Sequence, residues 1–289
     1  MTPCFAVEIA TPKKVRLKGL WLGPKKAKRV ILWVHGIGSS MFSKFDIAEK
    51  LTDKKTAVLV FNNRGHDKVS RIAYTNENRI GATALGGGAS EVFTECVDDI
   101  QGAINFAKKN GGKEIYLAGH STGCQKSMYW ASRTRSRGVK GIILLAPISD
   151  LAAEMHLQGK KKIERATKVA RLMVKQGRKH ELLPTGLWHE ILDAQRFLSL
   201  YVPDSVEEIF SYAQPKKDPR VFKSVSTPTL AIFADEDEFA DRPASELAAW
   251  FEKHSRSKRF KSVVISGVFH GFKGTERKVA KAIRKFIDA

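Results

Sequence analysis

Cysteine is scarce in this sequence. Cys4, Cys96 and Cys124 are the three cysteines among 289 residues, and no two of them have C-x-x-C spacing. An odd number of isolated cysteines argues against a disulfide framework and against a cysteine-ligated zinc site. Such usage is typical of a protein in a reducing compartment. We therefore expect a cytoplasmic protein without a metal centre.

Long hydrophobic runs are also missing. No segment approaches the roughly 18 uncharged apolar residues that a membrane-spanning helix needs. The first ten residues, Met1–Ala10, contain no apolar run of the signal-peptide type. The sequence therefore predicts neither a membrane span nor a secretory leader.

Negative charge is in short supply. The sequence has 30 Asp and Glu against 50 Lys and Arg, a formal net charge of +20. This excess favours anionic partners such as nucleic acid, membrane surfaces or acidic substrates. The basic residues are spread along most of the chain, however, and no zinc-finger, RNP or helix-turn-helix pattern accompanies them. We therefore interpret the charge as a lysine-rich surface and do not expect nucleic acid as the principal ligand.

Eight short apolar runs alternate with helical patterns. The predicted strands are Phe5–Ile9, Val15–Leu22, Arg29–Val34, Thr56–Phe61, Glu114–Ala118, Gly141–Ala146, Pro228–Ala234 and Phe260–Ile265. The predicted helices are Phe93–Lys109, Thr122–Arg133, Pro243–His254 and Thr275–Ile287. Buried strands alternating with helices predict an α/β fold, here a mostly parallel eight-stranded sheet covered on both faces. Polar clusters follow the strands, where such sheets carry their functional groups.

One block interrupts this alternation. Residues 150–227 separate two core strands and have a mainly helical pattern. We expect a core formed by residues 1–149 and 228–289, with 150–227 inserted as a helical lid over the strand ends. Within it, residues 158–180 contain nine Lys or Arg and one Glu. A solvated helix face is the favoured interpretation, with substrate binding and contact with acidic membranes as alternatives.

A serine lies at the corner between a predicted strand and a predicted helix. Gly119-His120-Ser121-Thr122-Gly123 is a complete G-x-S-x-G motif in the strand–turn–helix context that gives this motif its meaning. Small residues on both sides give a strained turn the space it needs. The following helix offers unpaired N–H groups and a dipole that favours a developing negative charge. The motif therefore predicts that Ser121 is a nucleophile.

A serine nucleophile needs a base, and the base needs an acid that orients it. His270, just past the last predicted strand, is the best placed of the eight histidines. The loop "ADEDEFAD" after the preceding strand supplies the acid, and Asp237 is the first choice, with Asp235 second. The order Ser121, Asp237, His270 is that expected for such a fold.

The same chemistry needs two backbone donors for an oxyanion. Thr122, directly after the serine, would supply one N–H, and Ile37, in the loop "HGIGSS" after a strand, would supply the other. We interpret His35 and His120, which also lie at strand ends, as residues that brace these loops by hydrogen bonds.

The sequence resembles the α/β-hydrolase superfamily from about Val15 to Ala289. The residues that carry the resemblance are "LWVHGIGSS", "FNNRGHD", "LAGHSTGCQ", "LLAPISD", "ADEDEF" and "FHGF". "GHSTGCQ" and "NNRGHD" together are similar to a poorly characterised branch that includes siderophore-esterase-like hydrolases. The resemblance implies a serine hydrolase with Ser121, Asp237 and His270 as triad and Ile37 and Thr122 as oxyanion donors. Ala234 is a departure, since many members have glycine where the acid loop begins.

These observations predict a cytoplasmic serine hydrolase that cleaves a carboxylic ester of a small molecule without cofactor or metal. The basic lid suggests an anionic substrate. The segment 69–90 is unusually long for a loop and is either part of the pocket entrance or a surface excursion. A thioesterase, an amidase or peptidase, and an acyltransferase remain alternatives on the same triad, as does a non-catalytic ligand-binding protein. The sequence does not determine the oligomeric state.

Overall fold

A sheet of ten strands forms the centre of the protein in the computed structural model, which describes residues 2–75 and 83–289. The strands are β1 Cys4–Ala10, β2 Val15–Leu22, β3 Arg29–Val34, β4 Thr56–Phe61, β5 Ser70–Tyr74, β6 Thr83–Gly86, β7 Glu114–His120, β8 Gly141–Leu145, β9 Thr229–Ala234 and β10 Phe260–Ile265. Their order is β10-β9-β8-β7-β3-β4-β2-β5-β6, and β1 pairs with β2. The pairs among β3, β4, β7, β8, β9 and β10 are parallel, whereas those involving β1, β2, β5 and β6 are antiparallel.

The mixed α/β class and all eight predicted strands are confirmed, but the predicted strand count of eight is too low. The two additional strands, β5 and β6, pair with each other inside the segment 69–90 that we interpreted as one long loop. Most of their residues are exposed or half-buried, so they lack the continuous apolar run that marks a buried strand. Residues 76–82, the middle of that segment, lie outside the described part of the chain.

Helices cover both faces of the sheet. They are α1 Phe45–Lys50, α2 Cys96–Lys109, α3 Thr122–Thr134, α4 Asp150–Leu157, α5 Lys160–Lys175, α6 Ala194–Tyr201, α7 Arg220–Lys223, α8 Ala244–His254 and α9 Glu276–Ile287, with a 3-10 turn at Phe93–Glu95 before α2. One apolar core contains the inner faces of α2, α3 and α8, and a second core on the other face contains those of α1 and α9. Because every residue of β4, β8 and β9 is buried, both faces of these strands need such cover.

Between β8 and β9 lie the four helices α4 to α7, within the predicted insertion 150–227. This segment has an apolar cluster of its own, which includes the stripe Ile163, Ala166, Ala170 and Met173 of α5. The basic residues of α5 are mostly exposed on the opposite side. The stripe therefore belongs to the core of the insertion, and the charged side is a solvated face. No helix of the described residues is long and apolar enough to cross a membrane.

A buried ionic network connects the insertion to the sheet domain. The Glu91 carboxylate lies 2.6 Å from Lys126 Nζ of α3 and 3.2 Å from Arg196 Nη2 of α6, and Arg196 Nη1 lies 2.5 Å from Glu207 Oε2. All four side chains are at most 3% exposed. Gly65 leaves room for the Glu91 carboxylate, since a Cβ at Gly65 would lie 2.2 Å from the Glu91 carboxyl carbon. Charges buried this deeply are tolerated only when they are paired.

Candidate active site

Ser121 occupies a strained corner between β7 and α3. Its backbone has φ 56° and ψ −129°, a conformation that a residue with a side chain rarely adopts. The flanking glycines have no room for a side chain: a Cβ at Gly119 would lie 2.3 Å from the Gly123 carbonyl oxygen, and one at Gly123 would lie 2.2 Å from that of Val34. The sharp turn therefore depends on both glycines of the motif.

His270 follows β10 and faces the acid loop that follows β9. Its Nδ1 lies 2.8 Å from Asp237 Oδ2, and the Asp237 side chain is only 3% exposed. The other Asp237 oxygen accepts a hydrogen bond from the Phe239 amide at 3.0 Å. This arrangement fixes His270 with Nδ1 as the donor toward a buried carboxylate, which leaves Nε2 free to accept a proton.

The neighbouring carboxylates of this loop bind backbone amides instead. Asp235, our second choice for the acid, accepts from the Val268 amide at 3.2 Å, and Glu238 accepts from the His270 amide at 2.8 Å. Both therefore hold the chain that carries His270. Of these three acids, Asp237 is the one that contacts the imidazole.

His120 holds the same chain from the other side. Its Nε2–H donates to the His270 carbonyl oxygen at 3.0 Å, and burial first, then the nearby His270 and Lys44, lowers the pKa of His120 well below its usual value. A neutral His120 is therefore a fixed donor, which agrees with the loop-bracing role predicted for it.

The loop after β3 passes close to the serine. A Cβ on Gly36 would lie 3.0 Å from Ser121 Cβ. His35 is fully buried; its Nδ1–H donates to the Gly36 carbonyl at 2.8 Å, and its Nε2 accepts from the Asn63 amide at 3.2 Å. Burial, with a smaller effect of Lys126, lowers the pKa of His35 to about 3, so His35 is neutral. These bonds hold the loop in place, as we expected of His35.

Ile37 and Thr122 carry the two backbone amides that we predicted as oxyanion donors. Ile37 lines the same cavity as Ser121, and Thr122 is the first residue of α3. Among residues 2–75 and 83–289, neither amide has a hydrogen-bond partner. Both amides are therefore available to a ligand, and amides of this kind can stabilise negative charge without needing to reorganise.

Ser121 and His270 open into one cavity of about 340 Å³. Residues that follow β3, β7, β8, β9 and β10 meet there, as the rule for strand ends predicts. Residues 150–227 supply six lining residues that are not among the predicted site residues: Asp150, Ala153, Glu154, His189, Glu190 and Tyr201. Asp150 and Glu154 lie four residues apart on α4, a spacing that places both on one helix face and could have indicated them.

The exposed basic residues of α5 do not line this cavity. Of its described lining residues, Lys44 of the sheet domain is the only Lys or Arg, against three carboxylates. The sequence-based expectation of an anionic substrate rested on the basic block 158–180, and the structure gives that block no place at the candidate site. In the described residues, no group of three His, Cys, Asp or Glu side chains is arranged to hold a metal ion.

The fold is that of the α/β-hydrolases. DcsB in complex with its substrate analogue has 18% sequence identity and a TM-score of 0.68, with 99% of this chain and 98% of DcsB covered. Est1E from Butyrivibrio proteoclasticus with bound ferulic acid has 20% identity and a TM-score of 0.64, with 98% of each chain covered. The Pyrococcus furiosus esterase Pf2001 has 18% identity and a TM-score of 0.60, covering 99% of this chain and 91% of the esterase.

The chain belongs to the family DUF1749, described as proteins of unknown function, which it matches over residues 81–288. No curated protein matches it in sequence. The predicted resemblance to α/β-hydrolases is confirmed at the level of the fold, whereas its narrower form, to siderophore-esterase-like hydrolases, stays a prediction.

Proposed function

We propose that the protein is a serine hydrolase that cleaves a carboxylic ester of a small molecule. The observation that carries this proposal is the position of Ser121 on a strained turn, in one cavity with His270, whose Nδ1 lies 2.8 Å from buried Asp237. A serine, a base and an orienting acid in this relation are what acyl transfer needs.

In the first half of the reaction, His270 Nε2 takes the hydroxyl proton as Ser121 Oγ attacks the ester carbonyl carbon. The resulting oxyanion accepts hydrogen bonds from the amides of Ile37 and Thr122. When the tetrahedral intermediate collapses, the bond to the alcohol breaks and His270 returns its proton to the departing oxygen. Asp237 stabilises the imidazolium throughout. An acyl group is left on Ser121.

In the second half, a water molecule replaces the alcohol. His270 takes one proton from the water as its oxygen attacks the acyl carbon, and the same two amides stabilise the second oxyanion. Collapse releases the carboxylic acid and returns the proton to Ser121. The reaction needs no electron transfer, and His270 gives back each proton that it accepts.

The insertion 150–227 serves in this proposal as a lid. It provides one wall of the cavity, and the network of Glu91, Lys126 and Arg196 anchors it to the sheet domain. A wall that excludes water strengthens the electrostatic interactions at the serine.

The test is hydrolysis of matched p-nitrophenyl esters, thioesters and amides of increasing acyl length. We expect measurable turnover of esters that Ser121→Ala abolishes. Ser132→Ala is the control, because Ser132 lies on the same helix and donates to the Tyr129 carbonyl outside the cavity. Greater activity on thioesters or amides would replace the ester assignment, and equal rates for wild type and Ser121→Ala would refute the mechanism.

A further inference from the structure

The cavity wall that residues 150–227 form is acidic, and we call it the acidic wall. Asp150, Glu154 and Glu190 all line it, in a protein whose net charge is +20. An acidic wall in a strongly basic protein has no explanation in the proposed acyl transfer, since neither the nucleophile nor the base needs it.

Two of the three carboxyl groups already have partners. Asp150 Oδ2 accepts a hydrogen bond from Gln125 Nε2 at 2.7 Å. Glu190 forms an ion pair with Lys68 at 2.6 Å and accepts from the Tyr201 hydroxyl at 2.9 Å. Their positions are therefore explained by contacts within the protein.

Glu154 is different. Its residue is 8% exposed, and its Oε2 is buried without a hydrogen-bond partner among the described residues. The other oxygen lies 3.6 Å from His189 Nε2, beyond ordinary hydrogen-bond distance. An unpartnered carboxylate oxygen is costly, and Glu154 lines the cavity, so a ligand is one source of the missing donor.

The nearby lysine does not satisfy it. Lys162 of α5 donates to Gln158 Oε1 at 2.6 Å and lies 5.6 Å from the centre of the Trp188 ring. It stabilises the Glu154 charge only at a distance. No other cation in the described lining of the cavity belongs to this wall, because Lys44 comes from the sheet domain.

We propose that Glu154, supported by Glu190, binds a positively charged group of the substrate, an ammonium or a similar N–H cation. The inference rests on the proposed function, because it concerns the substrate of the same cavity. An ammonium in the cavity would supply the missing donor to Glu154 Oε2 and reduce the repulsion between the Glu154 and Glu190 charges. Charge-assisted hydrogen bonds of this kind are among the strongest in proteins.

The binding of a cation should depend on pH. Burial, and next the charge of Glu190, raises the pKa of Glu154 to about 7, while Lys162 acts in the opposite direction. Burial lowers the pKa of His189, so His189 is neutral above pH 7, and Lys68 neutralises Glu190 in part. Burial, and next the charge of Glu207, raises the pKa of Asp150 well above its usual value. The preference for a cation should therefore grow as the pH rises from about 6 to 8.

The first experiment compares methyl ω-aminoalkanoates of increasing length with methyl alkanoates in which a methyl group replaces the ammonium. For the chain length that fits best, we expect kcat/KM to favour the cationic ester by about 10-fold to 100-fold. Glu154→Gln should reduce this ratio toward one and remove its pH dependence. Glu164→Gln, an exposed residue of α5, is the control and should keep the ratio. Because His270 is the base for both esters, the effect of its titration on kcat/KM cancels in the ratio.

The second experiment separates binding from catalysis. Calorimetry measures the binding of hexylammonium and of hexan-1-ol to Ser121→Ala, with and without Glu154→Gln. Ammonium binding that needs Glu154 supports the inference even if no ester is hydrolysed, which would refute the proposed function alone. Hydrolysis of esters without any preference for the cation, or ammonium binding that Glu154→Gln leaves unchanged, would overturn the inference alone.

Discussion

Asp237 Oδ2 lies 2.8 Å from His270 Nδ1, and the two residues belong to loops that follow adjacent parallel strands, β9 and β10. The pairing of these strands brings together two side chains that are 33 residues apart. The backbone of the His270 loop is in turn held by Asp235, Glu238 and His120. The position of the imidazole is therefore set by several independent contacts.

The roles of the acids in this loop can be separated by substitution. Asp237→Asn should lower kcat by about 10,000-fold, because a neutral amide neither holds the imidazole in the required tautomer nor stabilises its positive charge. Asp235→Asn, the matched control, removes the charge but keeps an oxygen that can accept from the Val268 amide, and it should lower kcat less than tenfold. Steady-state kinetics on the best ester gives both values. A larger loss in Asp235→Asn would assign the acid to Asp235.

The sharp turn at Ser121 depends on close backbone contact, so an added methyl group there should be costly. Gly123→Ala would place a Cβ 2.2 Å from the Val34 carbonyl oxygen, and we expect the free energy of unfolding to fall by more than about 3 kcal/mol. Gly111→Ala is the control: Gly111, unlike Gly123, has positive φ, but nothing lies within 4 Å of its Cβ position. Its cost should be about 1–2 kcal/mol. Urea denaturation measures the free energy of unfolding of both variants. Similar losses would mean that the turn at Ser121 can relax.

The buried ionic network should be more sensitive than surface ion pairs. Lys126→Met leaves the Glu91 charge with only Arg196 as partner in the interior, and the free energy of unfolding should fall by about 3–5 kcal/mol. Lys160→Met removes an exposed contact of 3.8 Å to Glu164. It should change the free energy of unfolding by at most about 1 kcal/mol. If both variants unfold at the same urea concentration as wild type, the network does not anchor the insertion.

His35 should contribute to the loss of stability in acid. Burial depresses its pKa from 6.5 to about 3, so below pH 6.5 the unfolded chain binds a proton that the folded protein does not. The contribution is present above pH 6.5 and is lost progressively as the pH falls toward about 3. Between pH 5.5 and 4, the free energy of unfolding of wild type should fall more steeply than that of His35→Gln, by up to about 1.4 kcal/mol per pH unit. Equal slopes would show that His35 is not buried as a neutral residue.

The parallel part of the sheet could be predicted because its strands are uninterrupted apolar runs, each ended by polar residues. The helices α2, α3, α8 and α9 were predicted from their apolar periodicity to within three residues at each end. β5 and β6 could not be identified in this way. They are exposed at one end of the sheet, where no burial imposes a pattern on the sequence.

The residues on the serine side of the cavity could also be predicted from the sequence. The motif around Ser121 and the order of the polar residues that follow the strands identify them. The acidic wall could not be predicted. Glu190 lies in a segment without regular structure, and the spacing of Asp150 and Glu154 places both on one face of α4 without indicating that this face lines the cavity. The pairing of Glu91 with Lys126 and Arg196 likewise depends on how distant segments pack, which no local pattern encodes.

The most direct measurement of the central claim is the site of labelling by a fluorophosphonate, which reacts with activated serine hydroxyls. Intact-mass and peptide mass spectrometry should show one adduct per chain, on Ser121, with labelling greatly slowed in His270→Ala. Folded protein that reacts at another serine, or that labels Ser121 equally fast without His270, would contradict the account.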